Sequence, residues 1–159
     1  MELLGVRLEL PANVPVVLLR EQTGERRVLP IYIDSPEAKS IALALEGRST
    51  SRPMTHDLLR DVVTVLGATL QRVTITELRE GTFYSELSFD VSGRAQVVSS
   101  RPSDAIALAV RTGTPIFASV AVLDEAATVP VVEEAAQEDE IIDEFRDFID
   151  QVKPEDFGA

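Results

Sequence analysis

The strongest constraint on this chain is that it repeats itself. Slid by about 65 residues, Arg7 falls on Arg72, Leu8 on Val73, Leu10 on Ile75 and Ser35 on Ser100, and Ile41-Ala42-Leu43-Ala44-Leu45 falls on Ile106-Ala107-Leu108-Ala109-Val110. Alanine-rich amphipathic helices can resemble one another by chance. Here strand and helix matches hold at one offset, which favours duplication. A chain of 159 residues has room for one hydrophobic core and not comfortably for two, so both copies are expected inside a single domain.

The local patterns agree. Leu4, Val6, Leu8 and Leu10 alternate with polar residues as a half-buried strand does, and Val16 to Arg20 and Val28 to Ile33 read as two more strands around the turn Glu21 to Glu25. Ser35-Pro36-Glu37 then opens a helix with Ser35 as its predicted cap, and Gly47 stops it. A second helix is predicted from Thr55, with Leu58, Leu59, Val62, Val63 and Leu66 forming an apolar face before Gly67. After Gly67 the order restarts, with a strand through Leu70 to Leu78, one from Thr82 to Val91, one from Ala95 to Val98, and a helix after Arg101-Pro102-Ser103-Asp104 that ends near Gly113. The expected fold is α+β: two β-β-β-α units forming mixed or antiparallel sheet with helices, their helix starts in quasi-equivalent places.

Charge divides the chain differently. The net charge is −12, yet residues 124–159 hold thirteen acids against Arg146 and Lys153, so the first 123 residues are close to neutral. The expected division is a folded domain over 1–123 and an acidic linker with an amphipathic tail helix over 124–159, where Ile141, Ile142, Phe145, Phe148, Ile149 and Val152 share one side. That tail is a candidate to engage a protein partner, a second subunit or its own domain. There is no cysteine, which excludes a disulfide framework, a thiolate nucleophile and Cys-based zinc. The start of the chain lacks the pattern of a secretory signal, and every apolar run falls well short of the ~18–20 residues needed to cross a bilayer. The expected compartment is the cytoplasm, with no membrane partner. Single scattered glycines exclude a phosphate loop, and one histidine with no nucleophile elbow argues against a serine triad.

Three stretches together resemble the bifunctional nuclease (BFN) domain family: Leu29-Pro30-Ile31-Tyr32-Ile33 followed by Glu37-Ala38, then Arg52-Pro53-Met54-Thr55-His56-Asp57-Leu58-Leu59, and Arg101-Pro102-Ser103-Asp104-Ala105-Ile106-Ala107-Leu108-Ala109. Gly81-Thr82-Phe83-Tyr84 and Thr114-Pro115-Ile116-Phe117 also fit, so the similarity spans roughly residues 3–123. There are two departures. Ser99 stands where members commonly carry an acid, and Asp34 where glycine commonly follows I-Y-I. The resemblance implies hydrolysis of phosphodiester bonds in DNA and RNA. It carries over Glu37, His56, Asp57 and Asp104 as catalytic candidates, with Arg52, Thr55, Arg79, Tyr84, Arg101 and Ser103 for substrate.

Such hydrolysis needs an activated water and positive charge around the phosphoryl oxygens. Glu37, Asp57 and Asp104 could hold magnesium or manganese, His56 could act as base, ligand or shuttle, and Arg52 and Arg101 could clamp phosphate. Each residue also has a structural reading. Thr55 to Asp57 and Ser103-Asp104 suit helix caps, Glu37 is a first-turn acid, Tyr84 lies in a strand pattern, and both arginines could tie loops to carboxylates. Two functions stay open: a nuclease with its site around Arg52 to Asp57 and Arg101 to Asp104, or a non-catalytic module that binds a small anionic ligand or a protein partner. A homo-oligomer, with a dimer favoured, and nucleic acid are the expected partners.

Overall fold

The computed structural model describes residues 1–129. The first copy is a three-stranded antiparallel meander, β1 (Glu2–Glu9), β2 (Val14–Arg20) and β3 (Val28–Tyr32), followed by helices α1 (Ser35–Leu45) and α2 (Thr55–Val65). The second copy is another meander, β4 (Ala68–Arg79), β5 (Thr82–Val91) and β6 (Arg94–Ser100), followed by α3 (Pro102–Thr112). A short strand β7 (Ile116–Ala118) and helix α4 (Val120–Ala126) complete it. The two β-β-β-α units are therefore present, each with its own sheet.

Both meanders and the paired helices α1 and α3 share one core. Val17, Leu19, Leu29 and Ile31 from the first sheet and Val73, Ile75 and Leu87 from the second meet Ile41, Ile106 and Leu108. Alanines 38, 42, 105, 107 and 109 are buried as well, and their small side chains let α1 and α3 approach closely. Leu70, Val73 and Ile75 are spaced unevenly because β4 carries a bulge between Leu70 and Arg72, which returns the strand to its core-facing phase.

Several sequence expectations change. The predicted caps move toward the N-terminus, by one position in α1 and α2 and by two in α3: Asp34, Met54 and Arg101 are the capping residues, while Ser35 and Thr55 are first helical residues and Ser103 lies inside α3. Neither α1 nor α3 has a side-chain cap bond. Gly113 does end α3, in the left-handed conformation at φ 66°. Strand β7 was not anticipated, since three residues are too short to show alternation. It lies parallel to β4, with Val73 opposite Ile116 and Ile75 opposite Ala118.

The largest difference concerns α2. Its apolar side was expected in the core, yet Leu58, Leu59, Val62, Val65 and Leu66 are all exposed, and its only buried residue is His56. The helix is held by its polar side instead, through bonds of His56 and Asp57 to α1 and α3.

Beyond α3 the chain returns to the first copy. Thr128 and Val28 exchange backbone bonds of 2.9 and 2.7 Å, and Arg27 donates to Asp124 at 2.7 Å. The tail pattern of residues 141–152 lies outside the described residues. Among the described residues no helix is long and apolar enough to cross a membrane.

Candidate functional site

Helical spacing gathers the site. Glu37 and Ser40 are three residues apart on one face of α1, and Asp104 and Arg111 are two turns apart on one face of α3. His56 and Asp57 occupy the first turn of α2. Where these three helices meet, their polar side chains form one connected line.

At its outer end Arg101 donates from Nη2 to Glu37 Oε1 at 2.8 Å, and from Nε and Nη2 to the two oxygens of Asp104 at 2.7 and 3.0 Å. Asp104 Oδ1 lies 3.1 Å from His56 Nε2, and His56 Nδ1 lies 2.9 Å from Ser40 Oγ. At the inner end Arg111 donates to Ser40 Oγ at 3.0 Å, to the Ser40 carbonyl at 3.1 Å and to Asp57 Oδ1 at 2.7 Å. Asp57 Oδ2 also accepts from the Met54 backbone N–H at 3.0 Å, which closes the start of α2.

The donors assign the histidine tautomer. The Asp104 carboxylate can only accept, so Nε2 carries the proton that faces it, and in the neutral ring Nδ1 accepts from Ser40 Oγ, which itself accepts from Arg111. Serine, histidine and aspartate thus stand in a row, but Ser40 is buried within α1 and its oxygen is already engaged. The row positions the helices and presents no nucleophile.

Charge in the line is paired. Burial pushes the Asp104 carboxyl up, and the bonds from Arg101 and His56 more than reverse this, holding it below its ordinary value. For Asp57 burial is again outweighed, here by Arg111 and the Met54 N–H. Asp104 and Glu37 together raise the pKa of Arg101, which stays a cation. Glu37 Oε2 is buried with no hydrogen-bond partner, so only one of its oxygens is satisfied.

The outer end is the more open to solvent. Arg101 has 59% of its side chain exposed and lines an open cleft of about 370 Å³. Tyr32 and Asp34 at the end of the first meander, Thr82 in the β4–β5 turn and Ser103 in the first turn of α3 supply further walls. At the inner end the Arg111 side chain is only 5% exposed.

The structure therefore brings together Glu37, His56, Asp57, Arg101 and Asp104, with buried Ser103 beside them on the cleft wall. It does not join the remaining candidates to the line. Arg52 and Thr55 are exposed at the entry to α2. Arg79 binds Glu77 and stacks over the Tyr84 ring at 5.1 Å, forming a separate cluster on the β4–β5 hairpin. Ser99 is paired with Glu86 across the β5–β6 ladder, so a carboxylate stands on the strand beside it. Sequence reading missed Ser40 and Arg111. The signal for both was a polar residue on a helix side otherwise lined by small apolar ones.

The carboxylates proposed for a metal do not converge. Arg101 occupies the space that a cation shared by Glu37 and Asp104 would take, and Asp57 is turned to Arg111. Among the described residues no group of three His, Asp or Glu side chains is placed to hold a metal ion. The described residues, as arranged, do not by themselves fit a resident divalent cation.

A duplicated α+β domain with a cation-lined cleft at its helix junction is the class that fold and site define. The description "Bifunctional nuclease domain" matches residues 17–130, and the chain belongs to that family. An uncharacterized protein of Mycobacterium tuberculosis is 47% identical over 161 residues, covering 98% of this chain and 95% of the relative. Bifunctional nuclease 1 of Arabidopsis thaliana is 27% identical over 105 residues, and Bifunctional nuclease 2 of Oryza sativa subsp. japonica is 26% identical over 108. These matches cover 64% and 66% of this chain but only 32% and 33% of the plant proteins.

Proposed function

We propose that this chain hydrolyses phosphodiester bonds of DNA or RNA in the cleft beside Arg101. The observation that carries the reading is that Arg101 is a cation fixed by two carboxylates yet more than half open to solvent on that cleft. A guanidinium held in place can meet charge developing on phosphoryl oxygens without reorganising. Family membership and the names of the plant relatives supply the substrate class. His56 and Ser40 act as positioning residues, since they hold Asp104 and reach the cleft only through it and Arg101.

One observation favours a second reading. Glu37, Asp57 and Asp104 are each bonded to an arginine, so none stands free toward the cleft as a general base. A module that binds a small anionic ligand without cleaving it would use the same arginine.

The two readings part in one assay. Purified full-length chain is incubated with single- and double-stranded DNA and RNA in magnesium, manganese or chelator, beside Arg101→Ala and Asp104→Asn. Hydrolysis should fall roughly a hundredfold in Arg101→Ala, with folding checked by circular dichroism. Cleavage that persists in both folded variants would remove this reading. Anion binding without cleavage would establish the second. Loss of activity in chelator would show that a metal enters by displacing Arg101.

A further inference from the structure

The exposed side of α2 is the least expected surface of the molecule. Leu58 is 56% exposed, Val65 85% and Leu66 73%, and with Leu59 and Val62 they form a continuous stripe. From residue 58 to 66 it runs about 12 Å along the helix. Apolar stripes of this kind mark a surface that something covers.

The geometry points to the chain's own residues 141–152 as the cover. Four arguments support that occupant. Ile141, Ile142, Phe145, Phe148, Ile149 and Val152 recur at helical spacing over about 16 Å, so a helix there would present a stripe of similar length. The described chain stops at residue 129, and the eleven residues from there to 140 can span up to about 38 Å. A compact body of this size has a radius of gyration of about 14 Å, so a linker of that length reaches over a large part of its surface. The polar side of the segment carries Asp143, Glu144, Asp147 and Asp150, and the loop entering α2 presents Arg52, whose side chain has no partner among the described residues.

Area separates this occupant from a second copy. Five Leu and Val side chains, each with roughly 60–120 Å² of apolar surface and about half of it exposed, offer some 200–400 Å². A stable interface between free proteins needs about 800 Å² per partner. A tethered segment works with less, because the linker holds it at millimolar effective concentration. Docking of the segment does not depend on whether the cleft hydrolyses phosphodiesters.

The absence of cysteine makes the test direct. In the full-length chain Val62→Cys is paired in turn with Ile142→Cys, Phe145→Cys and Ile149→Cys, so that register cannot hide contact. Under mild oxidation at least one pair should form an intrachain disulfide. Its yield should stay constant from about 1 to 100 µM protein and exceed about tenfold that of Phe145→Cys paired with Val97→Cys on β6. Adding Val65→Asp, at a position too exposed to disturb the core, should cut that yield several-fold. Disulfide dimers of Val62→Cys alone would place a second copy on the stripe and overturn the proposal. Yields no higher than the Val97→Cys control for all three pairs would overturn it as well.

Discussion

The two copies of the repeat share a frame and differ in chemistry. At the 65-residue offset Ile41, Ala42 and Leu43 of α1 match Ile106, Ala107 and Leu108 of α3, and all six are buried. The polar line occupies the mismatches. Asp104 corresponds to Lys39, Arg101 to Pro36, Arg111 to Glu46, and Ser40 to Ala105. Packing kept the duplicated positions alike because two related helices fill one core. The helix faces that meet α2 have no such symmetry, since α2 follows only the first copy. The polar line therefore sits where the copies stopped resembling each other.

Breaking the asymmetry at its most enclosed point should cost most. Arg111→Ala leaves Asp57 and Ser40 without their common donor in a nearly closed space, and should lower unfolding free energy by about 3–5 kcal/mol in urea titrations. A loss below about 1 kcal/mol would mean that Arg111 does not hold α2. Restoring symmetry is gentler: Ser40→Ala gives α1 the residue that α3 has at Ala105, removes two bonds, and should cost about 1–2 kcal/mol. Stability equal to the parent would show that the His56 bond adds nothing.

The smallest effect is in pH dependence. Asp57 and Asp104 are both held below the ordinary carboxyl value when folded, so their contribution is complete above the unfolded value near 4 and is lost as pH falls below it. Asp57→Asn should make the acid side of the stability profile shallower while leaving the profile between pH 6 and 8 parallel to the parent. An unchanged acid slope would count against the pairing with Arg111.

Most of the frame could be read from sequence. Alternation gave both meanders, and Gly47, Gly67 and Gly113 marked the element ends, because these signals depend on neighbours in the chain. The orientation of α2 could not be read. Periodicity shows that Leu58, Leu59, Val62 and Leu66 share a side, yet it is blind to which side faces inward. That was decided by His56 and Asp57 bonding partners 16 to 54 residues away. The motifs around His56 and Asp104 fall on the helix starts that the polar line joins. Arg111 escaped because its partner Asp57 lies far off in sequence, and at the end of a helix a basic residue needs no special reason.

The return of Thr128 to Val28, reinforced by Arg27 and Asp124, fixes where the acidic segment leaves the body. The residues that follow are therefore attached beside the first copy rather than at the end of the second. Unpinning them would lengthen the leash and dilute its far end through a larger volume, weakening any short-range hold without touching a contacting residue. If the segment docks on α2, the Thr128–Val28 pairing would in this way tune how often that surface is visited.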